Sequence, residues 1–491
     1  MSRRYFIRTF GCQMNEHDSG RAAGLLETMG YRRAKDEQTA DLVLLNTCAV
    51  RENADNRLYG TLGHLKTLKD ERRADGDDLT IVVGGCLAQK DGAAVSERAP
   101  WVDVVYGTHN LVSLPRLLEQ ADSVALPVVE LVEQLEVFPS ALPAKRDVRH
   151  HAWVSISVGC NNACTFCIVP SLRGPERSRP IPEIASEVQA LVADGVLEVT
   201  LLGQNVNSYG RDLAGASQFA LLLRALGRID GLERLRFTSP HPRDFTDDVL
   251  HAMAEVPCVM PHLHLPLQSG SDRVLRQMRR SYRSRRYLAL VEKTRELIPD
   301  AALTTDIIIG FPGETDADFA DTMAVVETVS FDQAFTFQYS PRPGTPAADR
   351  QDEFVPPEVV AERYRALEAL VRRQSFENHL AVVGKKRELL IESPSKTNTE
   401  RFSGRTEQNQ LVHFPAPPVT PTSRLAYAPG DFVTVEIVEA TANYMLGSAP
   451  EQIRTTPAGR AAADAMANTN DWHLDATPLS VGAHTALPIV G

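Results

Sequence analysis

The chain has no run of about eighteen apolar residues, and its first residues, Met1-Ser2-Arg3-Arg4, lead into a strand-like stretch in place of a signal-peptide core. No membrane partner is expected, and a cytoplasmic protein is. Cysteine is scarce: seven in 491 residues, an odd number and mostly at loop-like positions, which argues for a reducing compartment and for metal ligation over disulfides. Positive charge is also short, with 52 basic against 63 acidic residues and a net charge of −11. A phosphate-rich partner would therefore need a locally basic surface. Apolar content is not lacking: 43% hydrophobic and 23% charged is a globular composition, and the length suggests roughly three domains.

Short apolar runs at Tyr5–Phe10, Leu42–Asn46, Thr80–Val83 and Val102–Tyr106 alternate with helical patterns. This predicts a parallel α/β sheet domain over residues 1–120. Residues 121–150 carry prolines at 127, 139 and 143 and then the charged stretch KRDVRHH, which reads as a linker. From 151 to 380 six more runs, Trp153–Val158, Val196–Leu202, Arg234–Phe237, His262–Leu265, Leu303–Gly310 and Ala334–Ser340, alternate with helices. Six units are too few to close an eight-stranded barrel, so a partial (β/α)6 barrel is predicted, with its site on the loops after the strands. Residues 381–447 read as a small β-barrel from Arg387–Glu392, Leu411–Phe414 and Asp431–Ala440, and 448–491 as a disordered tail.

The cysteines fall at chosen places. Cys160, Cys164 and Cys167 form C-x3-C-x2-C in the loop after the first barrel strand. Three thiolates so spaced can hold one face of a four-iron cluster that normally takes four, leaving one iron open, while a structural zinc knot would pair two C-x2-C hooks or add nearby histidines. Cys12, Cys48 and Cys86 each follow a strand of the first domain, at intervals of 36 and 38 residues. In a parallel sheet the carboxyl ends of the strands share one edge, so these three can meet there as a second open cluster; the alternative is an inert thiol after each strand.

The segments that carry these cysteines, TFGCQMNEHDS at Thr9–Ser19, NTCAVRENA at Asn46–Ala54, GGC at 84–86 and SVGCNNACTFCIVPSLRGPERSR at Ser157–Arg179, resemble the methylthiotransferase branch of the radical S-adenosylmethionine enzymes over about residues 1–447. The resemblance implies an N-terminal auxiliary-cluster domain, a radical S-adenosylmethionine partial barrel and a C-terminal barrel of the TRAM type. It implies two [4Fe-4S] clusters: a radical one on Cys160, Cys164 and Cys167, where S-adenosylmethionine binds, and an auxiliary one on Cys12, Cys48 and Cys86, which holds the sulfur. Two molecules of S-adenosylmethionine are expected per turnover. The QMN after Cys12 and the TFCIVP around Cys167 are similar to the members that act on N6-isopentenyl (dimethylallyl) adenosine beside the tRNA anticodon, giving its 2-methylthio form. Related members act on a ribosomal-protein aspartate or on threonylcarbamoyladenosine. A non-catalytic iron–sulfur RNA-binding protein would instead need closed, four-ligand clusters. An electron donor of the flavodoxin or ferredoxin kind and a sulfur source are further partners, and a monomer is expected.

Two glycine-bearing turns, Gly203-Gln204-Asn205 after the second barrel strand and IIIGFPGE with Ile309 and Gly310 after the fifth, stand where related radical enzymes contact S-adenosylmethionine. They also stand where glycine simply turns a chain. His241, His262 and His264 read as polar-core histidines and Cys258 as a buried thiol. For the tRNA anticodon stem-loop, Asp272–Arg295 holds nine basic and two acidic residues. There Arg279, Arg280, Arg283, Arg285 and Arg286 are candidates for phosphates, and Tyr282 and Tyr287 for stacking on unpaired bases. The alternative is a solvated helix face. In the C-terminal barrel Lys385, Lys386 and Arg387 are the tight basic cluster, but seven basic and seven acidic residues balance there, so its RNA role rests on the resemblance.

Overall fold

The computed structural model describes residues 2–11, 13–48, 54–124, 126–132, 145–146, 148–398, 400–417 and 425–468. The first unit is a parallel sheet in the order β2-β1-β3-β4-β5-β6: β1 Arg4–Thr9, β2 Arg32–Arg33, β3 Leu42–Thr47, β4 Thr80–Gly85, β5 Val104–Tyr106 and β6 Val128–Glu130. Strand β3, LVLLNT, is buried throughout, as a central parallel strand covered on both faces must be. Val43, Leu45, Ile81 and Val83 pack toward the helices Ala54–Ala74 and Cys86–Arg98. Leu42, Leu44, Val82 and Val104 pack toward Gln13–Thr28 and Leu114–Ala121. The expected linker 121–150 is thus corrected in its first part, because β6 extends the sheet beside β5. Main-chain pairing holds this three-residue edge strand, and Val129 stays 40% exposed, so its side chains carry little pattern.

The second unit has six parallel strands in chain order: β7 His151–Ser155, β10 Glu198–Leu202 and β11 Arg234–Phe237 in one sheet, then β12 His262–His264, β13 Ala302–Ile309 and β14 Gln333–Gln338 in another. A Leu235–Val259 bridge links the two halves into the partial barrel. A short antiparallel ribbon, β8 Ser157–Val158 with β9 Arg177–Ser178, brackets the cysteine loop. Alternation sorts the strands: Val199, Leu201, Leu235, Leu263, Leu303, Ile307 and Ile309 join the helix-covered core. Their neighbours Glu198, Thr200, Arg234, Arg236, His262, His264, Thr304 and Asp306 take the opposite face. Cys258 is buried in this core.

The third unit is the closed barrel of β15 Lys386–Pro394, β16 Arg401–Arg405, β17 Leu411–Pro415, β18 Phe432–Ala440 and β19 Met445–Gly447, shut by β15 pairing with β18. The tail expectation for 448–491 is corrected over its described part. Strand β20 Gln452–Arg454 pairs with β18, and a helix Pro457–Asn468 follows. Arg454 lies 3.9 Å from the Phe432 ring centre, Ala458 packs on Leu197, Leu390 and Phe432, and Asp431 accepts the Thr456 amide at 2.7 Å. Residues 469–491 lie outside the described residues.

The third unit docks where β10 and β11 begin. Arg234 donates to the Arg405 carbonyl at 2.9 Å, and Arg236 to Thr406 and Glu407 carbonyls at 3.0 and 2.8 Å, so the β16–β17 turn seats on the amino-terminal end of the partial barrel. The cysteine loop, following a strand, is at the other end.

Candidate active site

The β8–β9 ribbon closes the cysteine loop at its base. Gly159 has φ +74, and a Cβ there would run into the carbonyls of Gly174 and Pro175, so only glycine turns the chain into Cys160. The Cys160 amide then bonds the Gly174 carbonyl at 3.1 Å, and the Cys167 amide bonds the Cys164 carbonyl at 3.1 Å. Thr165 anchors the loop to the segment after β12, its amide to Met278 O at 3.1 Å and its hydroxyl to Gln277 O at 3.0 Å. The three thiols are free and half-buried. Burial pushes Cys160 up and Cys167 up to about 12, with the neighbouring thiols adding to both. Ionising Cys160 and Cys167 needs positive charge, which a bound metal would supply, and a protein cation also reaches the loop: Arg280 donates to Cys164 Sγ at 3.3 Å. Among the described residues no three His, Cys, Asp or Glu side chains converge on a single metal ion. Three thiols spread round one loop suit a multi-iron cluster.

Of the N-terminal set, Cys48 and Cys86 are buried at the ends of β3 and β4, and Cys12 lies outside the described residues. The Gly11 backbone lies against Cys48. Asn15 joins the ends of β1 and β3, giving Nδ2 to Phe10 O at 2.7 Å and Thr47 O at 2.9 Å. Cys86 packs against Ile168 and Leu172, in the segment that follows Cys167 directly. Met14 packs on Val158 and Leu202 of the barrel. The carboxyl edge of the sheet therefore faces the cysteine loop.

Gly203, Gln204 and Asn205 leave β10 beside this loop. Gly203 lies against Ser157, and Asn205 gives Nδ2 to Asp244 at 2.8 Å. Asp244 also takes Arg211 at 3.1 Å and Arg243 at 3.0 Å, and Arg243 reaches Asn162 of the loop at 3.0 Å. Glu176, pushed up by burial, accepts the Ser208 hydroxyl at 2.6 Å. Four buried polar atoms on the elements round the loop have no partner among the described residues: Ser157 Oγ, Asn205 Oδ1, Gln277 Oε1 and Tyr339 OH. Buried polar groups are rarely left so, and a ligand rich in donors and acceptors, as S-adenosylmethionine is, has the chemistry to satisfy them. Ile309 and Gly310 are accounted for by packing. Ile309 is in the barrel core, and Gly310, at φ +75, has Val360 where a Cβ would go. His241, held at about 3 mainly by burial, accepts the Arg243 amide at 3.1 Å, as a polar-core histidine does.

The basic run divides. Tyr282 and Tyr287 are buried, with their hydroxyls given to Leu267 O at 2.8 Å and Leu265 O at 2.7 Å, so neither offers a ring to a base, which corrects the stacking expectation. Arg280 is buried on Cys164 and belongs to the cysteine loop. Arg283, half-buried, donates to the Arg280 and Tyr282 carbonyls at 3.0 and 2.6 Å. Arg279 and Arg285 are exposed, as is Arg286, which reaches Arg243 O at 3.1 Å. Lys385 and Lys386 are exposed, Lys386 paired with Glu451 at 2.5 Å, and Arg387 is half-buried. The residues that sequence reasoning left without a role are Arg173, Glu176, Arg243 and Asp244. For Arg173 a signal existed, a cation six residues past the last loop cysteine.

Comparison with known proteins identifies the family. The Radical SAM superfamily matches residues 154–326, the uncharacterized protein family UPF0004 residues 4–107, and the TRAM domain residues 381–449. The tRNA-2-methylthio-N(6)-dimethylallyladenosine synthase of Acidothermus cellulolyticus is 58% identical over 462 residues, 94% of this chain and 90% of that one. The chain belongs to this synthase family. The synthase of Nocardioides sp. is 56% identical over all of this chain and 96% of its own length, and that of Thermobifida fusca 57% identical over 94% and 92%. Among solved structures, the radical S-adenosylmethionine methyltransferase of Kitasatospora setae, with cobalamin and a [4Fe-4S] cluster bound, shares the synthase chain's fold at a TM-score of 0.51. It is 16% identical and covers 71% of this chain and 77% of that one. Among the described residues no helix is long and apolar enough to cross a membrane.

Proposed function

We propose that this radical S-adenosylmethionine methylthiotransferase inserts sulfur at C2 of N6-dimethylallyladenosine beside the tRNA anticodon and methylates it, working through two facing three-cysteine cluster sites. The observation that carries the reading is the packing of Cys86 on Ile168 and Leu172, immediately after the Cys160–Cys167 loop. Cys160, Cys164 and Cys167 would hold one cluster, and Cys48 and Cys86, with Cys12, the other. When bound, a cluster with an open iron and S-adenosylmethionine supplies the one-electron chemistry that an adenine C2–H, which offers no easily removed proton, requires. The chain's own groups position and desolvate. Arg280 would offset thiolate charge at Cys164, while Asn205, Ser157 and Gln277 hold buried polar atoms without a partner among the described residues, which the amino-acid and nucleoside parts of S-adenosylmethionine would satisfy. Apolar contacts of Met14 with Val158 and Leu202, and of Cys86 with Ile168 and Leu172, pack the two units together.

On this reading the protein takes two S-adenosylmethionine molecules per turnover, a flavodoxin- or ferredoxin-like electron donor and a sulfur source, and works as a cytoplasmic monomer. The exposed Arg279, Arg285 and Arg286 and the C-terminal barrel with Lys385 and Lys386 serve the tRNA. The test is mass spectrometry of tRNA nucleosides from cells lacking the chain, then complemented. Loss of the 2-methylthio form, restored by the parent and not by Cys164→Ala or Cys86→Ala, is expected; unchanged nucleosides would overturn the reading. The reconstituted protein should hold about eight irons in two clusters.

A further inference from the structure

Arg173 belongs to neither set of cysteines, yet it is buried at the seam between them. It ends the helix Val169–Arg173, which begins two residues after Cys167, and its side chain is 8% exposed. Its Nη2 crosses into the N-terminal unit. There it lies 3.5 Å from Cys86 Sγ, 3.3 Å from Asn15 Oδ1 and 3.1 Å from Asp18 Oδ2. Asn15 is the residue that ties the β1 and β3 ends to each other, so Arg173 meets a ligand and the brace of that ligand set at once. The Leu172 carbonyl, one residue earlier, accepts the Thr108 hydroxyl at 2.8 Å.

We propose that Arg173 is the positioning residue and charge partner of the auxiliary cluster, lent to it by the radical unit. The proposal rests on the two-site reading above. A four-iron cluster on thiolates is an anion, and reduction adds one more negative charge. A cation donating an N–H to a ligand sulfur favours the reduced form, and in a dry seam it is little screened. Asp18 opposes this by pairing with the same guanidinium. The two residues therefore act in opposite directions. Arg173→Met withdraws the cation and makes the auxiliary cluster harder to reduce. Asp18→Asn removes the opposing carboxylate, leaves the N–H donors, and makes it easier to reduce. A side chain that only bolted the two units together would give no such opposition.

The experiment uses the full chain with Cys160, Cys164 and Cys167 all changed to alanine, reconstituted with iron and sulfide and titrated anaerobically with the reduced cluster followed by electron paramagnetic resonance. The midpoint should move to more negative potential in Arg173→Met, to more positive potential in Asp18→Asn, and lie between parent and Arg173→Met in Arg173→Lys. Equal midpoints, or shifts of Met and Asn variants in the same direction, would overturn the proposal. Where Arg173→Met takes up no iron, Asp18→Asn and Arg173→Lys decide: an Asn variant that does not rise refutes the charge role. A three-alanine parent that binds no cluster would instead sink the two-site reading itself, so the two failures are told apart.

Discussion

Arg236 is one of two buried arginines that seat the C-terminal barrel, beside Arg234, and removing it should have an effect of measurable size. Arg236 is 7% exposed, bonds Glu198 at 3.0 Å, and holds the β16–β17 turn through two carbonyls at 2.8 and 3.0 Å. Burial opposes ionisation of Glu198, but Arg236, with His151 and Arg234, outweighs it and holds the carboxyl at about 2. Arg236→Met keeps most of the stem and deletes every donor. Breaking a buried pair costs about 3–5 kcal/mol, because the carboxylate stays behind without its partner. At roughly 1.4 kcal/mol per decade, even the lower bound is about 100-fold in the opening equilibrium. The assay is hydrogen exchange of the Thr406 and Asn409 amides, which bond inside that turn to Gln410 O at 3.1 Å and Thr406 O at 3.0 Å. Adding Glu198→Gln to Arg236→Met should restore a large part of the protection, since the orphaned charge is gone. If exchange in Arg236→Met changed less than threefold, or if the double variant were worse than the single, the orphaned-charge reasoning would be refuted.

Gly159→Ala should cost the reconstituted protein about half of its iron, the share of the Cys160 loop, because the new Cβ meets main-chain oxygens that cannot yield; a full complement of iron would contradict this. Acid should destabilise the fold early. Burial lowers His150 to about 4 and His241 to about 3, and lowers His151 and His262, so below about 6.5 the unfolded chain binds protons that the native one refuses. Stability then falls with pH by up to about 1.4 kcal/mol per unit for each histidine, until each native value is passed. Urea unfolding at pH 7.5 and 5.5 measures it. Arg279→Gln with Arg285→Gln should flatten the log–log salt dependence of RNA binding by about 1.4, at about 0.7 per lost phosphate contact. Tyr282→Phe should leave RNA affinity alone and cost about 1 kcal/mol of stability through its lost hydroxyl bonds; a weakened RNA complex would return that tyrosine to the RNA surface.

What was legible in the sequence was what short stretches of chain decide. The buried strands LVLLNT and TIVVGG are apolar on both faces, so a covered parallel sheet follows from composition alone. The three-cysteine loop is likewise local, because Cys160, Cys164 and Cys167 fall within eight consecutive residues. The edge strand Val128–Glu130 and the Arg454–Ala458 segment were not legible. One is held by main-chain bonds, the other by an arginine over Phe432 and an alanine in a crevice, and neither contact leaves an apolar period.

The same distinction explains why the arginines were misread. Nine basic residues between Asp272 and Arg295 look like one charged surface when counted along the chain. Folding sends Arg280 inward to Cys164 and leaves Arg279, its neighbour at φ +54, in solvent. The left-handed turn at Arg279 reverses the side-chain direction between consecutive arginines, so one faces thiolate and the other faces water. Arg173 meets Cys86 across 87 residues of chain, and no spacing rule reaches that far. An arginine that answers a phosphate and one that answers a thiolate are the same letter. What separates them is burial, because a desolvated guanidinium needs a fixed anion, and in this chain the buried arginines nearest the cysteines have one in a sulfur ligand.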